Sequence, residues 1–146
     1  MAKTILKFDP DDAFDFWLVG IVCQHKDYRL CHELNRRLFL ELVRMDDYEL
    51  FTPKRMKATR FVMFKYQSDD DDEYFVFSNN PAIEGAGKDD LLVPEQHQMN
   101  YFMMIRENFK RIEIQELVNS IRKVNLVLGA YQIDVKGLKS REHFLF

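Results

Sequence analysis

Residues 60–79 read RFVMFKYQSDDDDEYFVFSN, two aromatic-rich runs on either side of a short acidic turn. Val, Phe and Tyr suit the pleated, half-buried surface of a strand. Runs this close in sequence can pair only antiparallel, because a parallel partner needs a crossover of about a dozen residues or more. The expected element is therefore a β-hairpin, 60–67 against 73–79, whose loop is somewhat longer than the two-residue minimum. Asp69 to Asp72 and Glu73 read as its solvated tip, where like charges discourage edge-to-edge pairing. They lack the spaced glycine and closing glutamate of a calcium loop.

Around this hairpin the periodicity changes. In DYRLCHELNRRLFL, Leu30, Cys31, Leu34 and Leu38 share one face while Arg29, Glu33, Arg36 and Arg37 take the others, which predicts an amphipathic helix. YELF (48–51) is strand-like. NYFMMIRE (100–107), EIQELVNSIRKV (113–124) and NLVLGAYQIDV (125–135) then read as strand, helix and strand, with Ile114, Leu117, Val118 and Ile121 as the helical stripe. That order is one half of a ferredoxin-like βαβ arrangement, with parallel strands and helices on one face of the sheet. Near the start, ILKF (5–8) suggests a first strand, and Asp9, Pro10, Asp11 and Asp12 supply a helix start. Phe14, Trp17, Leu18, Ile21 and Val22 follow with helical spacing, so a helix is expected there. Phe16, Val19 and Cys23 are apolar as well, and a buried strand over 14–23 fits the same run. NPAIEGAGKDD (80–90) is a loop, and HFLF (143–146) is expected to dock, as an edge strand. The fold class that follows is α+β: a single domain over 1–146, with a mainly antiparallel sheet, helices on one face and a ferredoxin-like βαβ in the C-terminal half.

Composition narrows the function classes. Apolar residues make up 47% of the 146, including thirteen Phe, enough for a sizeable core without disulfides or metal. A formal charge of −3 does not favour broad attraction to nucleic acid or anionic membrane. The longest apolar run, FWLVGIVC, falls far short of the ~20 residues of a membrane span, and the N-terminus turns acidic before a signal-peptide core could form. A soluble, cytoplasmic protein with Cys23 and Cys31 reduced is the expectation.

Several stretches suggest chemistry and then fail a test of spacing. Cys23, His25, Cys31 and His32 are zinc-type ligands, but Cys31 and His32 are adjacent and diverge by about 100° on a helix, so neither a metal nor a cofactor is expected. EGAGKDD places Gly85, Gly87 and Lys88 as a phosphate loop would. The first glycine of that pattern would fall at Ala82, however, and Asp89 follows the lysine where Ser or Thr is required. Lys54, Arg55, Lys57 and Arg60 precede the aromatics Phe61, Phe64 and Tyr66, with Tyr74, Phe75 and Phe77 on the next strand. RNA-binding sheets display aromatics in this way, although KATRFVMFKY lacks the glycine spacing of their motif. No serine lies in a nucleophile elbow.

One polar stretch interrupts the apolar sequence, LLVPEQHQMNY (91–101). Val93-Pro94-Glu95, three residues, then Met99-Asn100-Tyr101 resembles the signature of the IPExxxVDY family, a group of short bacterial proteins, and KDYRLCHELN and AYQIDVKGLKSREHFLF resemble it too. The resemblance implies a bacterial cytoplasmic protein and supplies no catalytic residue. Val93 stands for Ile, Met99 for Val and Asn100 for Asp in that signature. A carboxylate acting as base or metal ligand cannot be exchanged for an amide, whereas an acceptor of one backbone hydrogen bond can. Asn100 is thus expected to cap backbone, Pro94 to set a bend, Glu95 to be paired or exposed, and Tyr101 to bury its ring with its hydroxyl bonded. With His97, these form the candidate site. The expected function is a non-enzymatic protein-interaction or regulatory module with a protein partner or a second copy of the chain. The alternatives are metabolite sensing in a cleft at Glu95, His97, Asn100 and Tyr101, and RNA binding at Lys54, Arg55, Lys57 and Arg60.

Overall fold

A computed structural model describes residues 13–51, 58–82, 90–108 and 112–146. The expected strand at 5–8, the helix start at 9–12, the cations Lys54, Arg55 and Lys57, and the glycines of EGAGKDD lie outside the described residues. The elements in order are β1 (Trp17–Cys23), α1 (Asp27–Leu38), β2 (Val43–Arg44), β3 (Tyr48–Phe51), β4 (Ala58–Phe61), β5 (Met63–Gln67), β6 (Glu73–Ser78), β7 (Tyr101–Arg106), α2 (Ile114–Arg122) and β8 (Val127–Gln132). Six strands form one sheet in the order β2-β5-β6-β7-β1-β8, and β3 and β4 make a separate two-stranded ribbon. Every paired neighbour in both is antiparallel.

The hairpin forms with Phe64 opposite Val76 and Gln67 opposite Glu73. β1 lies between β7 and β8 and is antiparallel to both, so β7 and β8 run parallel and are joined by α2. This is the split βαβ arrangement, with β1 filling the gap between the parallel strands.

Four expectations need correction. The helix expected from Phe14 onward is strand β1 over Trp17–Cys23. Val19, Ile21 and Cys23 enter one core, Leu18 enters the other, and Val22 packs against that second core. A strand covered on both faces reads as a continuous apolar run, and helical spacing can be picked out of any such run. The run at 60–67 is two strands rather than one: Phe61 pairs with Tyr48 in the ribbon, and Met63 begins the main sheet, with Val62 at the joint. HFLF docks, but as a 3-10 turn (Arg141–Phe144) whose Phe144 is fully buried under the sheet rather than at its edge. The acidic tip is solvated only in part. Asp72 is buried, and its Oδ1 accepts the Asn108 N–H at 2.8 Å.

Two cores result. On one face, Val19, Ile21, Val76, Met103 and Ile105 meet Leu30, Cys31 and Leu34 of α1 and Val118 and Ile121 of α2. On the other, no α-helix among the described residues covers Leu18, Phe75, Phe77, Phe102 and Met104. The cover there comes from Leu50 and Phe61 of the ribbon, Leu92, Val93 and Met99 of the polar stretch, and Ile133, Val135, Leu138 and Phe144 of the C-terminal segment. No helix among the described residues is long and apolar enough to cross a membrane.

Helix α1 ends on Phe39, which adopts the left-handed conformation (φ 57°, ψ 44°) and is 89% exposed. Asn35 holds the following turn, its Oδ1 accepting Leu42 N–H at 2.9 Å and its Nδ2 donating to Leu42 O at 3.2 Å. Glycine is the usual residue at such a helix end, since an L side chain costs about 1–2 kcal/mol there. Phe39→Gly is therefore expected to raise the free energy of unfolding by about 1 kcal/mol in a urea titration, the greater freedom of glycine in the unfolded chain offsetting part of the gain.

Candidate functional site

The segment 79–100 connects β6 to β7, whose last described pair is Ser78 with Tyr101. Asn79, the first residue past β6, is fully buried. Its Oδ1 accepts Val93 N–H at 2.9 Å, and its Nδ2 donates to Gln96 O at 3.1 Å and Met99 O at 2.8 Å. Its main chain adds a bond from N–H to Asn100 O and another from Leu92 N–H to its carbonyl, both 2.9 Å. Of the neutral side chains of this length, only the asparagine amide offers one acceptor and two donors together, and here all three bind backbone.

The clamp shapes the stretch it holds. Val93 precedes the turn at φ −130°, ψ 87°, outside the helical region, and Pro94 occupies the first position of a 3-10 turn (Pro94–Gln96), where its missing N–H is no loss. Leu91, Leu92 and Val93 are buried ahead of the turn, and Met99 is buried after it. Gly20 of β1 leaves the room for Met99, since a Cβ at Gly20 would stand 2.8 Å from the Met99 sulfur.

The residues singled out in the sequence divide between the two faces of the sheet. Asn100 Oδ1 accepts Cys23 N–H at 2.9 Å, while its own N–H donates to Ile21 O at 2.9 Å, closing the end of β1 where the β1–β8 register shifts. Tyr101 packs in the helix-side core and donates its hydroxyl to His25 O at 2.6 Å. Burial first, then the nearby Asp27 and the thiols of Cys23 and Cys31, push the Tyr101 pKa up, so it stays a neutral donor. Glu95 points elsewhere: its Oε2 accepts Ser140 N–H at 2.7 Å, and its Oε1 accepts the Ser140 hydroxyl at 2.8 Å. His97 is exposed. Glu95 thus ties the turn to the C-terminal segment, and Tyr101 lies in the opposite core, so the four residues do not line one cleft.

A second tie runs beside the first. His143 Nδ1 lies 2.7 Å from Leu92 O, an atom that can only accept, so this nitrogen carries the proton. The Tyr48 hydroxyl in turn donates to His143 O. The sequence reading singles out neither Asn79 nor Ser140 nor His143. For Asn79 the one available signal is an amide directly at a strand end, in SNNP, which reads equally well as an ordinary turn.

The other candidates are dispersed. Cys23 and Cys31 are free and buried, and burial raises both thiols, chiefly through desolvation, which keeps them protonated and poor as nucleophiles or ligands. The ring of His25 contacts Arg29, and His32 is exposed. Among the described residues no group of three or more His, Cys, Asp or Glu side chains is placed to hold a metal ion. Arg60 pairs with Glu49 across the ribbon at 3.2 Å. Phe61, Phe64, Phe75 and Phe77 are buried in the two cores, and Tyr66 stacks on Tyr74. Neither a protein-family model nor a curated protein matches the chain.

This geometry separates two isosteric changes. Asn79→Asp places a buried carboxylate against Gln96 O and Met99 O and should cost about 3–5 kcal/mol. Asn100→Asp keeps the one acceptor that Cys23 N–H uses and should stay within about 1 kcal/mol of the parent. Chemical denaturation of the two variants gives both values.

Glu95 gives a pH signature. Partial burial works to raise its pKa, but hydrogen bonds from its own N–H, from the Ser140 hydroxyl and N–H and from Lys139 N–H outweigh that and hold it below the usual carboxylate value. Because folding lowers this pKa, the stabilisation is fully present above the unfolded value of roughly 4.3 and is lost as pH falls through the folded value. Melting temperature in the acid range should fall less steeply for Glu95→Gln than for the parent.

Proposed function

We propose that the chain is a non-enzymatic protein-interaction or regulatory module, and that it belongs with the IPExxxVDY family that its 93–101 segment resembles. The observation that carries the interaction reading is Phe39, a large apolar side chain 89% exposed in a backbone conformation that favours glycine. A stability cost with no packing return points to use of the ring by something outside the fold. Val43 on the outer strand β2 and Met45 just after it are 60% and 42% exposed, so apolar side chains adjoin a sheet edge. A partner that adds beside so short a strand finds few main-chain groups there, so the apolar side chains supply most of its affinity as well as its selection.

The 93–101 motif has a supporting role in this reading. Asn100 and Tyr101 hold backbone groups, and Glu95 holds the N–H and hydroxyl of Ser140. Of the aromatics that would stack RNA bases, Phe61, Phe64, Phe75 and Phe77 are buried in the cores and Tyr66 and Tyr74 are partly buried and stacked on each other, which supports the interaction reading over RNA binding.

The test combines stability with capture. Phe39→Gly should be at least as stable as the parent and should lose the partner that the parent retains from its native cell extract, as should Met45→Ser. Equal recovery with all three proteins would overturn the assignment of this surface. Light scattering at micromolar concentration identifies the partner class: a dimeric mass that becomes monomeric in Phe39→Gly marks a second copy of the chain, and a monomeric parent marks a different protein.

A further inference from the structure

Where the C-terminal half of α1 meets the end of α2, a cleft of about 200 Å³ is lined by Glu33, Arg36 and Arg37 of α1 and by Lys123, Val124 and Asn125 of the turn that leads from α2 to β8. Glu33, Arg36 and Arg37 are spaced i, i+3 and i+4, so they share one face of their helix. Val124 is buried in the helix-side core, while Arg36, Arg37, Lys123 and Asn125 are exposed. Glu33 holds Arg36 through Nη1 alone, at 3.1 and 3.2 Å, which leaves the N–H groups of Nε and Nη2 for another acceptor. With that carboxylate counted, the described lining carries three cations against one acid. The cleft lies by the Cys23 end of β1, since Val127, two positions beyond Asn125, pairs with Cys23. The described residues that flank 1–12 and 109–111 lie towards the Trp17 end, and those that flank 52–57 and 83–89 belong to the ribbon and the cover of the other face. A helix dipole accounts for a cation at the C-terminus of its own helix, and Arg36 and Arg37 stand in the last turn of α1 while Lys123 caps α2. It does not account for the three lining one cleft, where like charges repel and an anion relieves the repulsion. Guanidinium forks from one element, with an ammonium and an amide from another, surround a tetrahedral oxyanion better than a flat carboxylate. The volume is below the usual range of small-molecule pockets, so the cleft takes a charged head group rather than a whole cofactor.

We propose that this cleft binds the phosphate group of a small soluble molecule, with Arg36, Arg37 and Lys123 meeting its charge. The inference is separate from the partner surface at Phe39 and does not depend on it.

Backbone amide NMR spectra of the full chain report on the cleft residue by residue. The chain is titrated with inorganic phosphate, methyl phosphate and pyrophosphate, and with acetate as a flat carboxylate, at constant ionic strength. The expected result is saturable shifts at Arg36, Arg37 and Lys123 to Asn125 with at least one of the phosphates, none with acetate, and binding about tenfold or more weaker in Arg37→Gln/Lys123→Gln. The tightest of the three phosphates shows whether the group is carried free, as a monoester or as a diphosphate. Both substituted side chains are exposed, so the double variant should melt like the parent. Should it melt lower, the same weakening is read from Lys123→Gln alone. Linear, unsaturating shifts with all three phosphates, equal binding of acetate, or unchanged affinity in a variant that melts like the parent would each overturn the proposal.

Discussion

The amide of Asn79 satisfies three backbone groups at a point water does not reach, and the cover of one whole face of the sheet is hung from that arrangement. The helix-side core can form from amphipathic helices settling on strands. Among the described residues the other face is covered by ribbon and irregular chain rather than by an α-helix, and irregular chain brings main-chain groups that need partners. Asn79 supplies them for the stretch from Val93 to Met99. Once that stretch is placed, Leu92 O and Glu95 receive His143 and Ser140, and Tyr48 of the ribbon bonds the main chain at His143. Three covering segments far apart in sequence are thereby joined, with the rings of Phe77 and Phe144 packed edge to face between them. Each of the three groups left unmatched would cost about 1–3 kcal/mol, a large share of a domain's usual stability.

The side chain at position 100 has one visible task, to accept the Cys23 N–H where β1 ends. Aspartate, the residue of the resembled signature, offers the same acceptor, which gives a physical reason why Asp and Asn can stand in the same place. The task at Asn79 needs both donors and an acceptor and tolerates no such exchange. Two asparagines that look alike in the sequence are thus separated by the kind of atom their neighbours present.

Legibility followed the range of the interactions involved. The hairpin, α1, α2 and the split βαβ depend on local periodicity and turn residues, and the sequence predicts them. β1 misleads because burial on both faces removes the alternation that marks a strand. The division at Val62 is invisible locally, since what separates Phe61 from Met63 is which strand each one pairs with. Asn79, Ser140 and His143 are illegible for the same reason: their partners lie 14 to 51 positions away, and no spacing rule connects an amide to a turn at such distances.

The two edges of the sheet are finished differently, and that bears on where a partner would bind. At β8, Arg122 donates through Nε to Ala130 O at 2.8 Å, and the β1–β8 register shifts between Val22 and Cys23. A side chain on an edge carbonyl and a bulge both hinder strand addition. Leu128 and Tyr131 are exposed there, but Arg122 lies over the Tyr131 ring, so part of that apolar surface is already engaged. At the other edge β2 is only Val43–Arg44, a shortness that by itself limits indiscriminate pairing. A partner at β2 would draw few main-chain bonds from so short an edge and would have to gain its affinity from side chains. Phe39, Val43 and Met45, in the strand or within a few positions of it in sequence, are large, apolar and exposed. On the proposed reading, an edge too short to attract strands in general, close in sequence to an aromatic ring held out at a cost in stability, would select by side chain rather than by backbone. That is the property a specific interaction surface requires.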